Sequence, residues 1–229
     1  MNKQPVILDN YFSQDEVDQM LYALDKMKKP SHAPNMMGTL GFRTSIEAAS
    51  VSMDNPVTGL TGDKEVDASI LKTTESILRV KDEMEKFFDM ELSMINCNYT
   101  AMFAGASNPL HADSSNLDGT PVPESKELEY SALIYLNDQG VDYTGGVLSF
   151  PLQDLNVQTK TGMVVFFKGD YNYPHEVSVV ESGERKVIIL FYARGGNISN
   201  VPLFSHAGAG VPVEDLPEEE RLTYLDLNQ

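Results

Sequence analysis

Two polar residues in the stretch NPLHADSSN, His111 and Asp113, are spaced so that they could act together. On a β-strand, residues i and i+2 point to the same face, which would place an imidazole beside a carboxylate. Such a pair can hold a metal ion, form a His–Asp hydrogen bond, or occur by chance in a polar loop. The H-x-D pattern is common in unrelated proteins, so the pair alone does not decide among these interpretations.

A second stretch, NYPHEVSVVESGERKVIILFYA, adds His175 and, ten residues later, Arg185. Two histidines and one carboxylate form the facial triad that holds non-haem iron(II) and leaves the opposite face of the metal open. An arginine stays protonated and offers two parallel charge-assisted hydrogen bonds. It therefore suits the distal carboxylate of a 2-oxo acid that chelates the iron.

The elements that must position these residues belong to a chain of 229 residues, enough for one large domain. The formal net charge is −17, and an acidic surface disfavours nucleic acid and anionic membranes as partners. Cys97 is the sole cysteine, which excludes an internal disulfide and favours a reducing compartment. The chain shows neither a signal peptide nor an apolar stretch long enough to cross a bilayer. These features predict a soluble, cytoplasmic protein.

Two helices are predicted in the first part of the chain. The first lies in YFSQDEVDQMLYALDKMKKP, where Ser13 and Glu16 form a capping box and Pro30 ends the helix. The second runs from residue 63 to about residue 89, with apolar side chains at helical spacing: Val66, Ile70, Ile77, Met84 and Phe88. The Gly-, Pro-, Ser- and Asn-rich residues 30–62 between them indicate a long loop with one short strand near residues 42–45.

After the second helix the pattern changes to short runs of β-branched and aromatic residues separated by turn-forming residues. The runs are LSMINCNYTAMF, YSALIYLN, GGVLSF, GMVVFFKG and RKVIILFYA. Helices followed by strands indicate an α+β protein, and the spacing of the strands favours a sandwich or barrel of the jelly-roll type. We expect one domain over residues 1–229: helices and loop over 1–94, the jelly-roll core over 95–195, and an acidic tail over 196–229.

The ordered set of H-A-D, a Gly-Gly pair, Y-P-H-E-V and S-G-E-R resembles the iron(II)- and 2-oxoglutarate-dependent dioxygenases, specifically their prolyl 4-hydroxylase-like branch. The stretch SALIYLND…YTGGVLSFP is similar to the segment of that branch in which an aromatic-rich strand precedes a Gly-Gly turn. The resemblance spans roughly residues 95–195. It implies a double-stranded β-helix (jelly-roll) barrel supported by N-terminal helices. It also implies a hydroxylase of prolyl residues in a peptide or protein that uses iron(II), 2-oxoglutarate and dioxygen, with ascorbate as an optional addition.

The resemblance assigns roles to individual residues. The implied iron ligands are His111, Asp113 and His175. Arg185 matches the basic residue that binds the distal carboxylate of 2-oxoglutarate, Tyr135 in IYLN matches a tyrosine that assists it, and Tyr99 matches a further co-substrate tyrosine. Lys186 is an alternative carboxylate partner, because strand alternation turns only one of two neighbouring side chains inward. The chain departs from many relatives in having no tryptophan at the end of the last strand.

Other interpretations stay open at this stage. The same chemistry could act on a free amino acid or another small metabolite instead of a peptide. In a function of another class, the barrel would be a non-catalytic interaction module that binds no 2-oxoglutarate and tolerates loss of Arg185. By the resemblance, residues 30–62 are expected to close over a bound peptide, and a closed pocket there would instead favour a metabolite. A nucleic-acid demethylase of the same superfamily is disfavoured by the acidic charge.

Overall fold

Two antiparallel β-sheets and two helices form most of the described chain, which comprises residues 4–27, 31–32, 42–44, 63–195 and 211–212 of a computed structural model. The helices are α1 (Gln14–Met27) and α2 (Lys64–Phe88). The strands are β1 (Val6–Leu8), β2 (Ser31–His32), β3 (Phe42–Thr44), β4 (Leu92–Phe103), β5 (Asn108–His111), β6 (Tyr130–Tyr135), β7 (Tyr143–Gly145), β8 (Leu148–Phe150), β9 (Leu155–Val157), β10 (Val164–Lys168), β11 (His175–Val177), β12 (Val180–Arg194) and β13 (Val211–Pro212). Apart from β2, β3 and β13, the predicted loop 30–62 and tail 196–229 lie outside the described residues.

Both predicted helices are confirmed, together with the capping box that starts the first. At α1 the backbone N–H of Ser13 donates to Glu16 Oε2 at 2.8 Å, and the N–H of Glu16 donates to Ser13 Oγ at 3.4 Å. At α2 the carboxylate of Asp63 accepts from two backbone N–H groups of the first turn. The helix ends where Asp89 adopts the left-handed conformation, with φ of 52°. Neither helix of the described part of the chain has the length and hydropathy that a membrane crossing requires.

The larger sheet has the strand order β1-β10-β6-β12-β4-β3, with β7 paired to β12. Because side chains alternate along a strand, the sheet presents two faces, and both are buried. One face packs against α1 and α2 and forms the helix-side core, which includes Cys97, Tyr130, Ile134, Ile188 and Tyr192. The opposite face packs against the smaller sheet.

The smaller sheet has the order β5-β11-β8-β9, and its inner face meets the larger sheet in an inter-sheet core. That core includes Met102, Tyr135, Phe150, Phe167 and Val187. Two antiparallel sheets packed face to face, with helices behind the larger one, are the jelly-roll arrangement that the sequence predicted.

Strand β6 shows how burial on both faces positions the polar residues. All six of its residues are buried, so its sequence reads YSALIY rather than as an alternation of apolar and polar side chains. Tyr130 and Ile134 belong to the helix-side core, whereas Leu133 and Tyr135 belong to the inter-sheet core. By alternation, Ser131 lies on the same face as Tyr135, so the strand directs two hydroxyl groups between the sheets.

Candidate metal centre and co-substrate site

His111, Asp113 and His175 converge on one point at the edge of the smaller sheet. His111 is the last residue of β5 and His175 is the first of β11, and the two are directly paired across the strands. Oδ1 of Asp113 lies 3.5 Å from Nε2 of His111 and 3.8 Å from Nε2 of His175. The three donor atoms all lie within 4.8 Å of one another. Asp113 lies two residues beyond the end of β5, so a turn brings it to the histidines. The alternation of side chains along a strand, which the sequence analysis expected for H-x-D, is not what places it there.

Both imidazoles are oriented by the same local device. Nδ1 of His111 lies 2.7 Å from the carbonyl oxygen of Pro109, and Nδ1 of His175 lies 3.1 Å from that of Tyr173. A ring nitrogen that faces a carbonyl oxygen carries the proton, so in each neutral ring Nε2 holds the lone pair. Nδ2 of Asn108 lies 3.5 Å from Nε2 of His111. Both lone pairs therefore face Asp113, as a shared metal ion requires.

The Asp113 carboxylate is fixed from two sides. Ser114 donates to the carbonyl oxygen of Gly169 through both its N–H (2.8 Å) and its hydroxyl (3.0 Å). A side chain at Gly169 would place a Cβ 2.1 Å from the carbonyl oxygen of Leu128 and 3.1 Å from Cβ of Asp113, so only glycine allows this close approach. From β6, Ser131 Oγ donates to Asp113 Oδ2 at 2.5 Å. One carboxylate oxygen is thus occupied by a hydroxyl, and the other faces the histidines.

Burial and charge set the protonation states that a metal ion needs. Burial lowers the pKa of His175 to about 4, although the nearby Asp113 acts in the opposite direction. Burial acts to raise the pKa of Asp113, but His175, His111 and the Ser131 hydroxyl outweigh it, and this pKa lies below its usual range. At neutral pH the cluster therefore offers a neutral imidazole at His175 and an ionised carboxylate, the forms that ligate metals.

A second polar group, centred on Arg185, lies in the barrel interior. Arg185 is 2% exposed, and its Nη2 donates to the hydroxyl of Tyr135 at 3.0 Å. The guanidinium carbon lies 5.2 Å from the centre of the Tyr135 ring, and Nη1 lies 3.5 Å from Sδ of Met102. Its Nε is buried without a hydrogen-bond partner, and Arg185 forms no ion pair with a carboxylate of the described residues. A buried cation without a counter-ion is costly, which suits this pocket to an anion.

Two further residues that the sequence analysis selected, Lys186 and Tyr99, lie away from this pocket. Lys186 faces away from this pocket, and its Nζ pairs with Glu184 at 3.1 Å. Tyr99 belongs to the helix-side core, while Met102, three residues further along β4, belongs to the inter-sheet core. An odd separation on a strand reverses the face, so the structure does not bring Tyr99 to Arg185 or to the histidines.

Three residues of the site have no assignment from the sequence: Ser131, Tyr143 and Thr159. Ser131 had one usable signal, because it is a hydroxyl residue four positions before Tyr135 within a run that is otherwise apolar or aromatic. Tyr143 and Thr159 had none, since the hydroxyl of Tyr143 meets Thr159 only after β7 and β9 have taken their places in the fold.

The residues present fit the groups that the resemblance implies. Two neutral imidazole nitrogens and one carboxylate oxygen form the donor set of non-haem iron(II) enzymes. The uncompensated Arg185 fits the distal carboxylate of a keto acid. His175 also packs against Phe150 and Phe167, with ring centres 5.6 and 4.7 Å away, and these rings limit the access of water on that side.

Comparisons with known proteins agree with this chemistry. The sequence model of the 2OG-Fe(II) oxygenase superfamily matches residues 97–194. No curated protein matches the chain in sequence.

Many solved structures have a similar fold, among them three prolyl hydroxylases. The viral collagen prolyl hydroxylase of Paramecium Bursaria Chlorella virus-1, in complex with 2OG, superposes with a TM-score of 0.54 at 18% identity, over 83% of this chain and 96% of that one. The prolyl hydroxylase of Trichoplax adhaerens, in complex with a peptide fragment of hypoxia inducible factor, gives 0.57 at 16% identity, over 82% and 83%. The prolyl-4-hydroxylase of Pseudomonas putida gives 0.56 at 19% identity, over 84% and 93%.

At these identities the likeness is one of fold. The matched segment includes every residue of the His–Asp–His cluster and Arg185. Residues 97–194 thus match the 2OG-Fe(II) oxygenase superfamily in sequence, and the chain has a fold similar to that of the prolyl hydroxylases.

Proposed function

We propose that this oxygenase hydroxylates prolyl residues of a peptide or protein. The observation that carries the proposal is a buried arginine, without a counter-ion among the described residues, in the same barrel as a His–Asp–His cluster. In this proposal His111, Asp113 and His175 hold iron(II), and Arg185 with Tyr135 binds the distal carboxylate of 2-oxoglutarate. The free amino acid or small metabolite stays the alternative substrate.

Each group of the chain has a distinct task in this reaction. Iron(II) with its chelated keto acid supplies the oxidation: dioxygen is consumed, 2-oxoglutarate becomes succinate and carbon dioxide, and a substrate C–H bond gains an oxygen atom. Asp113 contributes the single negative charge of the protein ligands, so a divalent ion keeps a positive charge that attracts the keto acid. Arg185 fixes the far end of that acid, which holds its chelating end in one orientation.

The surface near the cluster supports an extended substrate. β5, which ends at His111, is an edge strand of the smaller sheet among the described residues. Leu110 (40% exposed) precedes His111, Leu117 (50%) follows Asp113 by four residues, and Tyr171 (46%) precedes His175 by four. Apolar side chains exposed on all three ligand-bearing segments offer contacts to a chain that lies across the site.

A coupled assay tests the proposal. The protein is incubated with iron(II), 2-oxoglutarate and ascorbate, with and without proline-containing peptides, and both succinate and the peptide mass are measured. We expect succinate above the peptide-free level and a peptide heavier by one oxygen atom. The matched peptide, with alanine in place of proline, should stay unmodified, and His175→Ala should form no product.

Other outcomes point to the alternatives. If free amino acids but no peptide increase succinate, the substrate is a small molecule. If the protein neither binds 2-oxoglutarate nor forms succinate, and Arg185→Ala is without consequence, the barrel is an interaction module and the proposed enzyme activity is wrong.

A further inference from the structure

A second buried tyrosine, Tyr143, lies beside Arg185. Tyr143 is 1% exposed and begins β7, which pairs with β12 so that Tyr143 lies opposite Gly183. Its hydroxyl makes a short hydrogen bond with Oγ1 of Thr159, which is 0% exposed. A buried hydroxyl pair of this kind fixes the position of the phenol oxygen.

The contacts around Gly146 show how closely Tyr143 and Arg185 pack. A Cβ at Gly146 would lie 3.1 Å from Cδ of Arg185 and 3.2 Å from Cε2 of Tyr143. Gly145 and Gly146 also have positive φ angles of 68° and 59°, which is the tight turn that the sequence predicted. The glycine turn thus leaves room for the arginine stem and the tyrosine ring to pack against the same backbone atoms.

Thr159 is itself held by the backbone. The N–H of Gln139 donates to the carbonyl oxygen of Thr159 at 3.1 Å, and the N–H of Thr159 donates to Oε1 of Gln139 at 3.4 Å. Gln139 also donates through Nε2 to the carbonyl oxygen of Gly145 at 2.8 Å. The segment after β6 therefore ties the support of Tyr143 to the glycine turn that packs against Arg185.

Charge supports the same arrangement. Burial raises the pKa of Tyr143, while Thr159 and the positive charge of Arg185 act to lower it. The guanidinium has only donors, so a tyrosine oxygen beside it serves as an acceptor. Arg185 thereby lies near two phenol groups, of Tyr135 and Tyr143, neither of which neutralises its charge.

We propose that Tyr143, held by Thr159, is a positioning residue for co-substrate binding: it fixes the guanidinium of Arg185 in the orientation that receives the distal carboxylate of the keto acid. This inference rests on the proposed function and goes beyond the arginine and the Tyr135 that the resemblance implies. The chemical consequence is selectivity. Tyr143 strengthens the binding of keto acids with a distal carboxylate and contributes nothing to those without one.

The test compares two keto acids of equal carbon number in the manganese-loaded protein without dioxygen, by calorimetric titration. 2-Oxoglutarate carries the distal carboxylate, and 2-oxovalerate has a methyl group in its place. We expect Tyr143→Phe to weaken the binding of 2-oxoglutarate about tenfold, the lower end of what one hydrogen bond to a charged group contributes, and to leave 2-oxovalerate within about twofold. Thr159→Val should behave like Tyr143→Phe, and Thr159→Ser should restore the wild-type affinity.

Two further variants make the result decisive. Combining Tyr143→Phe with Thr159→Val should add little to either change, because both break one chain of contacts. Tyr192→Phe removes a buried hydroxyl from the helix-side face of β12 and should leave both affinities unchanged.

The outcomes separate this inference from the proposed function. Equal weakening for both keto acids would show that Tyr143 only supports the fold, and unchanged 2-oxoglutarate binding in Tyr143→Phe would also overturn the inference. If the wild-type protein binds 2-oxovalerate as tightly as 2-oxoglutarate, Arg185 does not bind a distal carboxylate. In that case both this inference and the proposed function are wrong. No peptide substrate is needed for any of these measurements.

Discussion

The hydroxyl of Ser131 offers the sharpest test of how the fold prepares the metal centre. Ser131 donates to Oδ2 of Asp113 at 2.5 Å, and the side chain of Asp113 is only 8% exposed. Ser131→Ala removes the donor, and little water is available to replace it. The carboxylate then loses the contact that turns its other oxygen toward the histidines.

The expected magnitude follows from two estimates that agree. A hydrogen bond to a charged acceptor contributes roughly 1.5–3 kcal/mol. Losing an outer partner of a metal ligand costs about 10–100-fold in metal affinity, which corresponds to roughly 1.4–2.8 kcal/mol. Because the bond already exists before the metal binds, part of this energy stabilises the metal-free protein. We therefore expect the lower end for metal affinity, a loss of about tenfold, together with a lower melting temperature of the metal-free protein.

The assay is a titration with manganese(II), which replaces iron(II) without oxidation, followed by calorimetry or by the paramagnetic signal of the free ion. Ser131→Thr keeps the hydroxyl and suits a strand, so its affinity should stay within about twofold of wild type. Ser149→Ala is the matched control, because Ser149 on β8 donates to Asn156 at 2.7 Å and not to the metal centre. If Ser131→Ala lowers the melting temperature but binds manganese(II) like the wild type, the hydroxyl only stabilises the fold.

Three further predictions follow from the same structure. Arg185→Lys keeps the charge but loses the two parallel hydrogen bonds of the guanidinium, so 2-oxoglutarate binding should weaken by about 1–3 kcal/mol while metal affinity stays unchanged. The control Lys186→Ala should change neither affinity. If a binding titration gave the opposite pattern, the inward position of Arg185 would be contradicted. Asp113→Ala should abolish metal-dependent succinate formation while circular dichroism shows an intact β-fold, and full turnover would refute the ligand assignment. Asp138 accepts from the hydroxyl and N–H of Thr161 at 2.6 and 2.5 Å, and these bonds hold its pKa below the usual range. The stability that these two hydrogen bonds add is present above the unfolded pKa of about 3.9 and is lost as pH falls through the lower folded pKa. Below about pH 4, the melting temperature of Asp138→Asn should therefore fall less than that of the wild type.

The sequence predicted the elements whose signals are local. Ser13 with Glu16 starts one helix, and apolar side chains at helical spacing identify the other. The long runs of β4 and β12 contain enough apolar and β-branched residues to identify them as strands. Three of the short strands, β7, β9 and β11, were not predicted. β7 and β11 pair with strands that lie far along the chain, whereas β9 pairs with the neighbouring β8 and has only three residues to show a pattern.

The same division holds within the site. Residue type and order were enough to select His111, Asp113, His175 and Arg185, because few side chains can ligate iron or bind a carboxylate. Tyr99 was selected by the resemblance, as a tyrosine on the strand before H-A-D, and strand alternation places it against the helices. The supporting hydroxyls depend on the register between strands, which no local pattern records.

One strand, β6, connects the His–Asp–His cluster to the Arg185 pocket and fixes the distance between them. Ser131 contacts Asp113, the proposed metal ligand, and Tyr135 contacts Arg185. Both Ser131 and Tyr135 lie on the inward face of β6. Four residues of strand separate them by about 13 Å, at a rise of about 3.3 Å per residue. β6 is buried on both faces and paired on both edges, to β10 and β12, so this spacing cannot relax without disrupting the larger sheet. The distance between metal centre and carboxylate pocket is thus a property of the sheet, whereas the exposed segments that carry Leu110, Leu117 and Tyr171 can vary with the substrate.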